Sequence, residues 1–283
     1  MTPRWRSLLY VPVTSERFVA KAHERGADAV ILELEDAVAP SEKDRARALV
    51  REAAARIAEA GVDVLVRINR PWRLAVRDIE AAVDPNVRAL VLPKVDSAEH
   101  VIGLAEVAAS VEEERGLPVG HMLLFPRIEG PRGLLRVAEI ANAHPRVVAI
   151  GLGSSDFTIA TGMEAGGDGN VIASFQVVTA TIAAGRVPIG LVGSITEFGD
   201  LDAFRRVAER SRALGLRGAP CVHPSQIPIL NEVFAPTDDE LARARRVVEE
   251  YEQALAAGEG AVLVDGEFVD IPFYEQAKRL LAG

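Results

Sequence analysis

Short apolar runs alternate along most of the chain with longer stretches that have helical character. Residues 41–60 are rich in good helix formers, and residues 98–115 carry apolar side chains at three- and four-residue spacing, directly after an Asp96-Ser97 cap signal. The apolar runs predict β-strands at residues 8–13, 29–35, 63–69, 89–93, 121–128, 147–152, 187–192 and 219–223. This alternation indicates repeated βα units of the α/β class. An open doubly wound sheet shares the alternation, but eight strands favour a (β/α)8 TIM barrel.

The pattern changes after about residue 235. The segments that follow predict a helix at about 236–257, a short strand at 261–264, a turn at 265–266 and a last helix at 272–282. We therefore predict a barrel domain at residues 1–235 and a C-terminal helical extension at residues 236–283. We expect the extension to cover one end of a barrel or to lie at a subunit interface.

The amino-acid composition argues against several classes of function. The 283 residues are 49% hydrophobic and 26% charged, which is typical of a globular protein. Because 41 acidic residues outnumber 32 basic ones, giving a net charge of −9, nucleic acid is not expected as a partner. No run approaches the ~18 apolar residues of a membrane span, so no membrane association is expected. The single cysteine, Cys221, lies in an apolar run and fits a core position in a cytoplasmic protein.

Polar residues follow the predicted strands at the positions where barrel enzymes place their active sites. Glu129 and Asp156 follow adjacent strands, and two carboxylates with water form the hard oxygen environment that Mg²⁺ prefers. Such an ion would chelate an α-keto or α-hydroxy acid, and Arg67 and Arg127 could bind its carboxylate or stabilise an oxyanion. On spacing alone a structural alternative stays open, in which the two acids cap helices or pair with Arg127 and Arg132.

Several short motifs, taken in their order along the chain, resemble those of a known protein family. These are residues 6–12, 26–28, 34–38, 66–69, 92–95, 127–129, 153–156 and 222–227, together with Lys43, and they span nearly the whole chain. In this order the sequence resembles the citrate lyase β-subunit-like branch of the HpcH/HpaI aldolase superfamily, which includes malyl-CoA and citramalyl-CoA lyases. The resemblance implies a (β/α)8 barrel that holds Mg²⁺, or Mn²⁺ in its place.

The same resemblance implies roles for particular residues. Glu129 and Asp156 would be the metal ligands. Arg67, Asp36 and Asp270 would be catalytic, and Asp270 would donate a proton from a neighbouring protomer; its structural alternative is a surface cap of the last helix. The remaining implied residues are Arg67, Arg6, Lys94 and Gly153 as substrate-binding groups, with Glu35 and Lys43 in support.

The implied activity is a carbon–carbon lyase of the retro-Claisen or aldol type. It would cleave or form a dicarboxylic 3-hydroxyacyl-CoA from an acyl-CoA and a 2-oxo acid such as glyoxylate, pyruvate or oxaloacetate, in a homo-oligomer such as a trimer or hexamer. The chain departs from the family pattern at residues 166–169, 189–195 and 218–219. Two alternatives therefore stay open: a metal-dependent 2-oxo-acid aldolase without CoA, and a non-catalytic oxo-acid-binding subunit.

Overall fold

The structure is a computed structural model that describes residues 3–164, 167–194 and 199–282. Eight parallel strands are present: β1 (Ser7–Pro12), β2 (Ala29–Glu33), β3 (Asp63–Arg67), β4 (Ala89–Leu92), β5 (Leu123–Ile128), β6 (Ala149–Leu152), β7 (Val187–Pro188) and β8 (Ala219–Cys221). Each coincides with one of the eight predicted apolar runs, so the predicted barrel is confirmed. Two departures from the family pattern, at Gly166 and Ile195, lie outside the described residues.

The strands pair in chain order and form a ring. β1 pairs with both β2 and β8, and the order continues from β2 to β7. Two main-chain hydrogen bonds close the ring between β7 and β8: Arg217 N donates to Pro188 O at 2.9 Å, and Gly190 N donates to Gly218 O at 2.8 Å. Because every strand is parallel, all their carboxyl ends meet at one end of the barrel.

Helices connect the strands. Those of the barrel are α1 (Glu16–Val19), α2 (Lys43–Ala58), α3 (Trp72–Ala82), α4 (Ala98–Glu114), α5 (Pro131–Leu134), α6 (Val137–Ala141), α7 (Ser154–Thr161), α8 (Asp168–Ala183), α9 (Leu201–Ala213) and α10 (Ile227–Val233). The predicted cap of α4 is confirmed, since the Ser97 hydroxyl accepts from His100 N at 3.3 Å. β2, β3 and β8 end earlier than predicted, so Glu35, Asn69 and His223 lie in the loops that follow them.

Apolar side chains fill two separate layers of this unit. One cluster fills the inside of the barrel and includes Leu8, Ile31, Leu65 and Phe125. The other lies between the strands and the surrounding helices. Successive side chains of a strand point to opposite faces, so one set of alternating apolar residues fills the inside of the barrel and the other set packs against the helices.

The chain divides into two compact units, residues 1–234 and 235–283. The second contains α11 (Asp238–Ala256), a hairpin of β9 (Val262–Val264) and β10 (Glu267–Val269), and α12 (Ile271–Ala282). It has its own apolar core around the buried Tyr251. Thr237 and Glu240 cap α11 reciprocally, which explains why that helix starts where it does. Among the described helices, none combines the length and the apolar character that crossing a membrane requires.

Candidate active site

A cavity of about 810 Å³ lies at the carboxyl ends of the barrel strands. Its polar lining includes side chains at or beyond the carboxyl ends of the strands: Tyr10, Glu33, Asp36, Arg67, Arg127, Glu129, Asp156 and His223. Six of the residues singled out in the sequence therefore meet in one place: Asp36, Arg67, Arg127, Glu129, Gly153 and Asp156. The position agrees with the usual location of active sites in this fold.

Arg67 is held by two buried carboxylates. Its Nε donates to Glu33 Oε2 at 2.5 Å, and its Nη1 lies 3.2 Å from Glu35 Oε2. Its guanidinium carbon lies 4.9 Å from the centre of the Tyr10 ring. Burial raises the pKa of both glutamates, and the positive charge of Arg67 opposes that rise. Arg67 is thus fixed in place, with its remaining N–H groups available on the cavity side.

Lys94 links this acidic pair to Glu129. Its Nζ donates to Glu35 Oε1 at 2.5 Å and lies 3.3 Å from Asp36 Oδ2. Its main-chain N donates to Glu129 Oε2 at 3.2 Å. Its φ of +50° lies in the left-handed region, which is energetically unfavourable for a residue with a Cβ. In this conformation its N–H group points at the glutamate. The observed contacts of Lys94 are with carboxylates, and its predicted contact with substrate stays a prediction.

Glu129 and Asp156 form the carboxylate pair of the cavity. Glu129 follows β5 and is 6% exposed, while Asp156 lies in the first turn of α7. Gly153 leaves room for Glu129, because a Cβ at this position would lie 2.5 Å from Glu129 Cγ. Burial raises the pKa of Glu129 to about 7, with Glu35 and Asp156 adding to the rise and Arg127 opposing it.

The donor set of this pair fits a hard divalent cation. A cation held by the two carboxylates would oppose both the burial and the repulsion that raise the pKa of Glu129. Within the described residues, no cluster of three or more acidic, histidine or cysteine side chains is arranged around a metal position. Water and substrate oxygens would therefore complete the coordination, as is usual for Mg²⁺.

In the metal-free protein, Glu129 is expected to make stability depend on pH. A buried carboxyl that titrates near pH 7 when folded and near 4.5 when unfolded favours the folded state at low pH. The free energy of unfolding should therefore fall by on the order of 3 kcal/mol between about pH 4.5 and 7. Urea titrations of the wild type and of Glu129→Gln in a chelator would measure this. The difference between the two proteins should grow as pH rises, and parallel curves would contradict it.

Arg127 is the second guanidinium of the cavity and is 7% exposed. Its Nη2 donates to Leu152 O at 2.9 Å and its Nη1 to Ile189 O at 3.5 Å, while its buried Nε has no hydrogen-bond partner. In the described part of the chain its hydrogen-bond partners are thus main-chain carbonyls, and no carboxylate forms an ion pair with it. Its positive charge favours an anionic ligand in the cavity.

Lys43 holds the loop that follows β2. From the start of α2, its Nζ donates to Leu34 O at 2.6 Å and to Glu35 O at 2.5 Å. Burial lowers the pKa of Lys43, and nearby acids, Asp78 first among them, oppose this. Its predicted supporting role thus has a physical basis, since it fixes the main chain that carries Glu35 and Asp36.

Asp78 connects that loop to the one after β3. This fully buried side chain of α3 accepts from Arg47 Nε through Oδ1, and from the main-chain N and Nδ2 of Asn69 through Oδ2, each at 2.7 Å. Asn69 Nδ2 also donates to Leu34 O at 2.9 Å. Both loops of the acidic cluster are therefore held by one carboxylate. Sequence reasoning missed Asp78, because a charged residue within a helix gives no signal that it is buried.

The structure does not bring Arg6 to the cavity, which corrects its expected place in the substrate-binding set. Arg6 precedes β1 and so lies at the amino ends of the strands, the opposite end of the barrel. Its Nη2 and Nε bond to Asp28 at 2.8 and 2.9 Å, and its Nη1 donates to Asn231 O at 3.4 Å. Arg6 therefore ties the first strand to its neighbours at the base of the barrel.

Asp270 belongs to the second unit and lies directly before α12. Its main-chain carbonyl accepts from Tyr274 N at 3.0 Å, and its buried Oδ1 has no hydrogen-bond partner. The main-chain bond fits the start of the helix, whereas the unpartnered oxygen is not explained by capping. Its predicted catalytic role stays a prediction.

Comparison with known proteins assigns the family. The family model described as HpcH/HpaI aldolase/citrate lyase matches residues 6–224. The chain belongs to this family. The citrate lyase subunit beta of Leuconostoc mesenteroides subsp. cremoris is 33% identical over 279 residues, which cover 98% of this chain and 92% of that protein. The L-malyl-CoA/beta-methylmalyl-CoA lyase of Cereibacter sphaeroides is 32% identical over 301 residues, covering 98% and 93%. The protein is thus an enzyme of the lyase class.

Solved structures of a Mycobacterium tuberculosis relative share the fold. Its protein CitE in complex with magnesium, acetoacetate and coenzyme A aligns with a TM-score of 0.78 at 28% identity, covering 100% of this chain and 98% of that chain. A structure of the citrate lyase beta subunit of the same organism, complexed with oxaloacetate and magnesium, aligns with a TM-score of 0.69 at 28% identity, covering 83% and 100%. HpcH/HpaI family relatives with this fold therefore include proteins that bind magnesium with oxo acids.

Proposed function

We propose that this protein is a Mg²⁺-dependent carbon–carbon lyase. Its substrate would be a dicarboxylic 3-hydroxyacyl-CoA, which it cleaves to an acyl-CoA and a 2-oxo acid or forms from them. The observation that carries the proposal is the meeting of two carboxylates, Glu129 and Asp156, with two guanidinium groups, Arg67 and Arg127, in one cavity. The carboxylates fit a hard cation, and the guanidinium groups fit the oxygens of an oxo acid.

Different residues would carry out the separate steps of cleavage. Mg²⁺ held by Glu129 and Asp156 would supply positive charge next to the oxygens of the oxo acid. Arg67, fixed by Glu33 and Glu35, donates hydrogen bonds to the carbonyl oxygen that develops when the carbon–carbon bond breaks. The 3-hydroxyl of the substrate would give its proton to a carboxylate of the cavity, for which Asp36 is the candidate, while the electron pair of the carbon–carbon bond passes to the thioester α-carbon and gives an enolate. The resemblance assigns the protonation of this enolate to Asp270 of a neighbouring protomer.

A further part of the cavity wall supports the use of an acyl-CoA. Arg17, Phe18 and Arg25, which follow β1, line the same space, and the Phe18 ring is 51% exposed. Two guanidinium groups suit the phosphates of coenzyme A, and an exposed ring suits stacking with its base. This wall also argues for a substrate larger than a free oxo acid.

A homo-oligomer belongs to the same proposal. The second unit exposes the apolar side chains of Leu263, Phe268, Ile271 and Phe273. These lie on the hairpin and at the start of α12, close in sequence to Asp270. A neighbouring protomer that covers them would also explain how Asp270 reaches a reaction centre.

Calorimetric titration would test the proposal. We expect oxaloacetate, pyruvate or glyoxylate to bind only with Mg²⁺, and acetyl-CoA or propionyl-CoA to bind in addition, with turnover of the matching thioester. Arg17→Gln should weaken thioester binding about tenfold and leave oxo-acid binding unchanged. Oxo-acid binding without thioester binding would replace the lyase proposal by an aldolase or a binding subunit. Loss of all metal-dependent binding would refute it.

A further inference from the structure

The floor of the cavity is a single layer of inward-facing side chains. On each of four strands, a residue of the inner apolar cluster is followed two positions later by a polar side chain that lines the cavity. The four pairs are Leu8 and Tyr10, Ile31 and Glu33, Leu65 and Arg67, and Phe125 and Arg127. Because residues two apart share a strand face, this layer rests directly on the barrel core.

Tyr10 is the uncharged member of these four. Its ring packs on the inner apolar cluster, and the Arg67 guanidinium lies 4.9 Å from the ring centre. Within the described residues, its hydroxyl forms no hydrogen bond with another protein group. A partly buried phenol normally finds a partner. The geometry thus leaves a polar oxygen without a protein partner at the floor of the cavity.

We propose that the Tyr10 hydroxyl is a further substrate contact, which donates a hydrogen bond to an oxygen of the oxo-acid group. The inference rests on the proposed function and adds to it a residue that recognises the substrate. Tyr10 and Arg67 would then bind neighbouring oxygens, because the guanidinium lies over the ring of the phenol. Stacking against Arg67 also restricts the ring, so the hydroxyl is preorganised for this contact.

The charges around Tyr10 favour a donor. Burial raises the pKa of Tyr10, while the positive charges of Arg67 and Arg127 oppose that rise. The phenol therefore keeps its proton at neutral pH. Of the two cations on this floor, Arg67 is ion-paired with Glu33, so the charge that draws the anionic group of a ligand towards this hydroxyl is mainly that of Arg127.

Tyr10→Phe tests the inference, since it removes one oxygen and retains the ring that packs against Arg67. We expect the dissociation constant of oxaloacetate, titrated in Mg²⁺, to rise about tenfold. The melting temperature and Mg²⁺ binding should remain those of the wild type. The matched control is Tyr251→Phe in the second unit. It removes a tyrosine hydroxyl that already has a protein partner, since Tyr251 Oη donates to Gly260 O at 3.3 Å, and it should leave oxaloacetate affinity unchanged.

The outcomes separate this inference from the proposed function. If the wild type and Tyr10→Phe bind oxaloacetate equally, the Tyr10 contact is refuted and the lyase site stands. If the wild type itself binds no oxo acid in Mg²⁺, the proposed function fails and the contact fails with it. Tyr10→Leu supplies a second measurement: because it also removes the ring, it should weaken binding more than Tyr10→Phe.

Discussion

Replacing Glu129 by glutamine is expected to reduce turnover on the order of 1,000-fold or more while the fold remains intact. The amide has the same shape but lacks the negative charge that a divalent cation requires. Since Asp156 would then be the remaining carboxylate of the pair, Mg²⁺ binding should be lost as well. Stopped assays of thioester cleavage and calorimetric Mg²⁺ titration would measure the two effects.

The stability of Glu129→Gln separates a lost metal site from a lost fold. Because burial raises the pKa of Glu129 to about 7, the neutral amide should make the metal-free protein at least as stable as the wild type at pH 8. Glu139→Gln is the matched control, since Glu139 is exposed on α6 and should not affect turnover. Full activity of Glu129→Gln in Mg²⁺ would exclude Glu129 as a metal ligand.

Much of the barrel could be predicted because its strands are buried on both faces. Such strands appear as short apolar runs, and β2, with the sequence AVILE, is the clearest of them. β7 was harder to delimit. The apolar run predicts a strand over residues 187–192, but β7 has two residues, and Pro188 lacks the N–H group that would bond on the β8 side.

The site could be predicted in part, for a topological reason. Consecutive strands of a parallel barrel are neighbours, so the residues after β5 and β6 had to lie side by side, and Glu129 and Asp156 do. Arg6 was expected to bind substrate because a motif gives residue types but does not show at which end of a strand each residue lies. Tyr10 could have been found from the two-residue period of β1, whereas the partners of Asp78 depend on contacts between distant elements.

Asp78→Ala is expected to lower the free energy of unfolding by about 3 kcal/mol, because it removes the buried partner of Arg47 and leaves that guanidinium only the exposed Asp44, whose Oδ1 accepts from Arg47 Nη1 at 2.5 Å. Arg47 is 8% exposed and one of its terminal nitrogens already lacks a partner. The substitution also removes the acceptor for both N–H groups of Asn69. For a unit of this size the melting temperature should fall by roughly 10 °C, which calorimetric scanning would detect.

Two further variants test whether the loss of stability comes from the hydrogen bonds and ion pair of Asp78. Glu80→Ala removes an exposed acid from the same helix, so its melting temperature should stay within about 2 °C of the wild type. Asp78→Asn keeps the shape and one acceptor oxygen, and its stability should lie between those of the wild type and Asp78→Ala. Because Asn69 and Asp78 hold the loop that carries Glu35, Asp78→Asn should also raise KM well below its melting temperature. A stable Asp78→Ala protein would mean that this carboxylate is not needed to hold the two loops, and that Lys43 suffices for the one after β2.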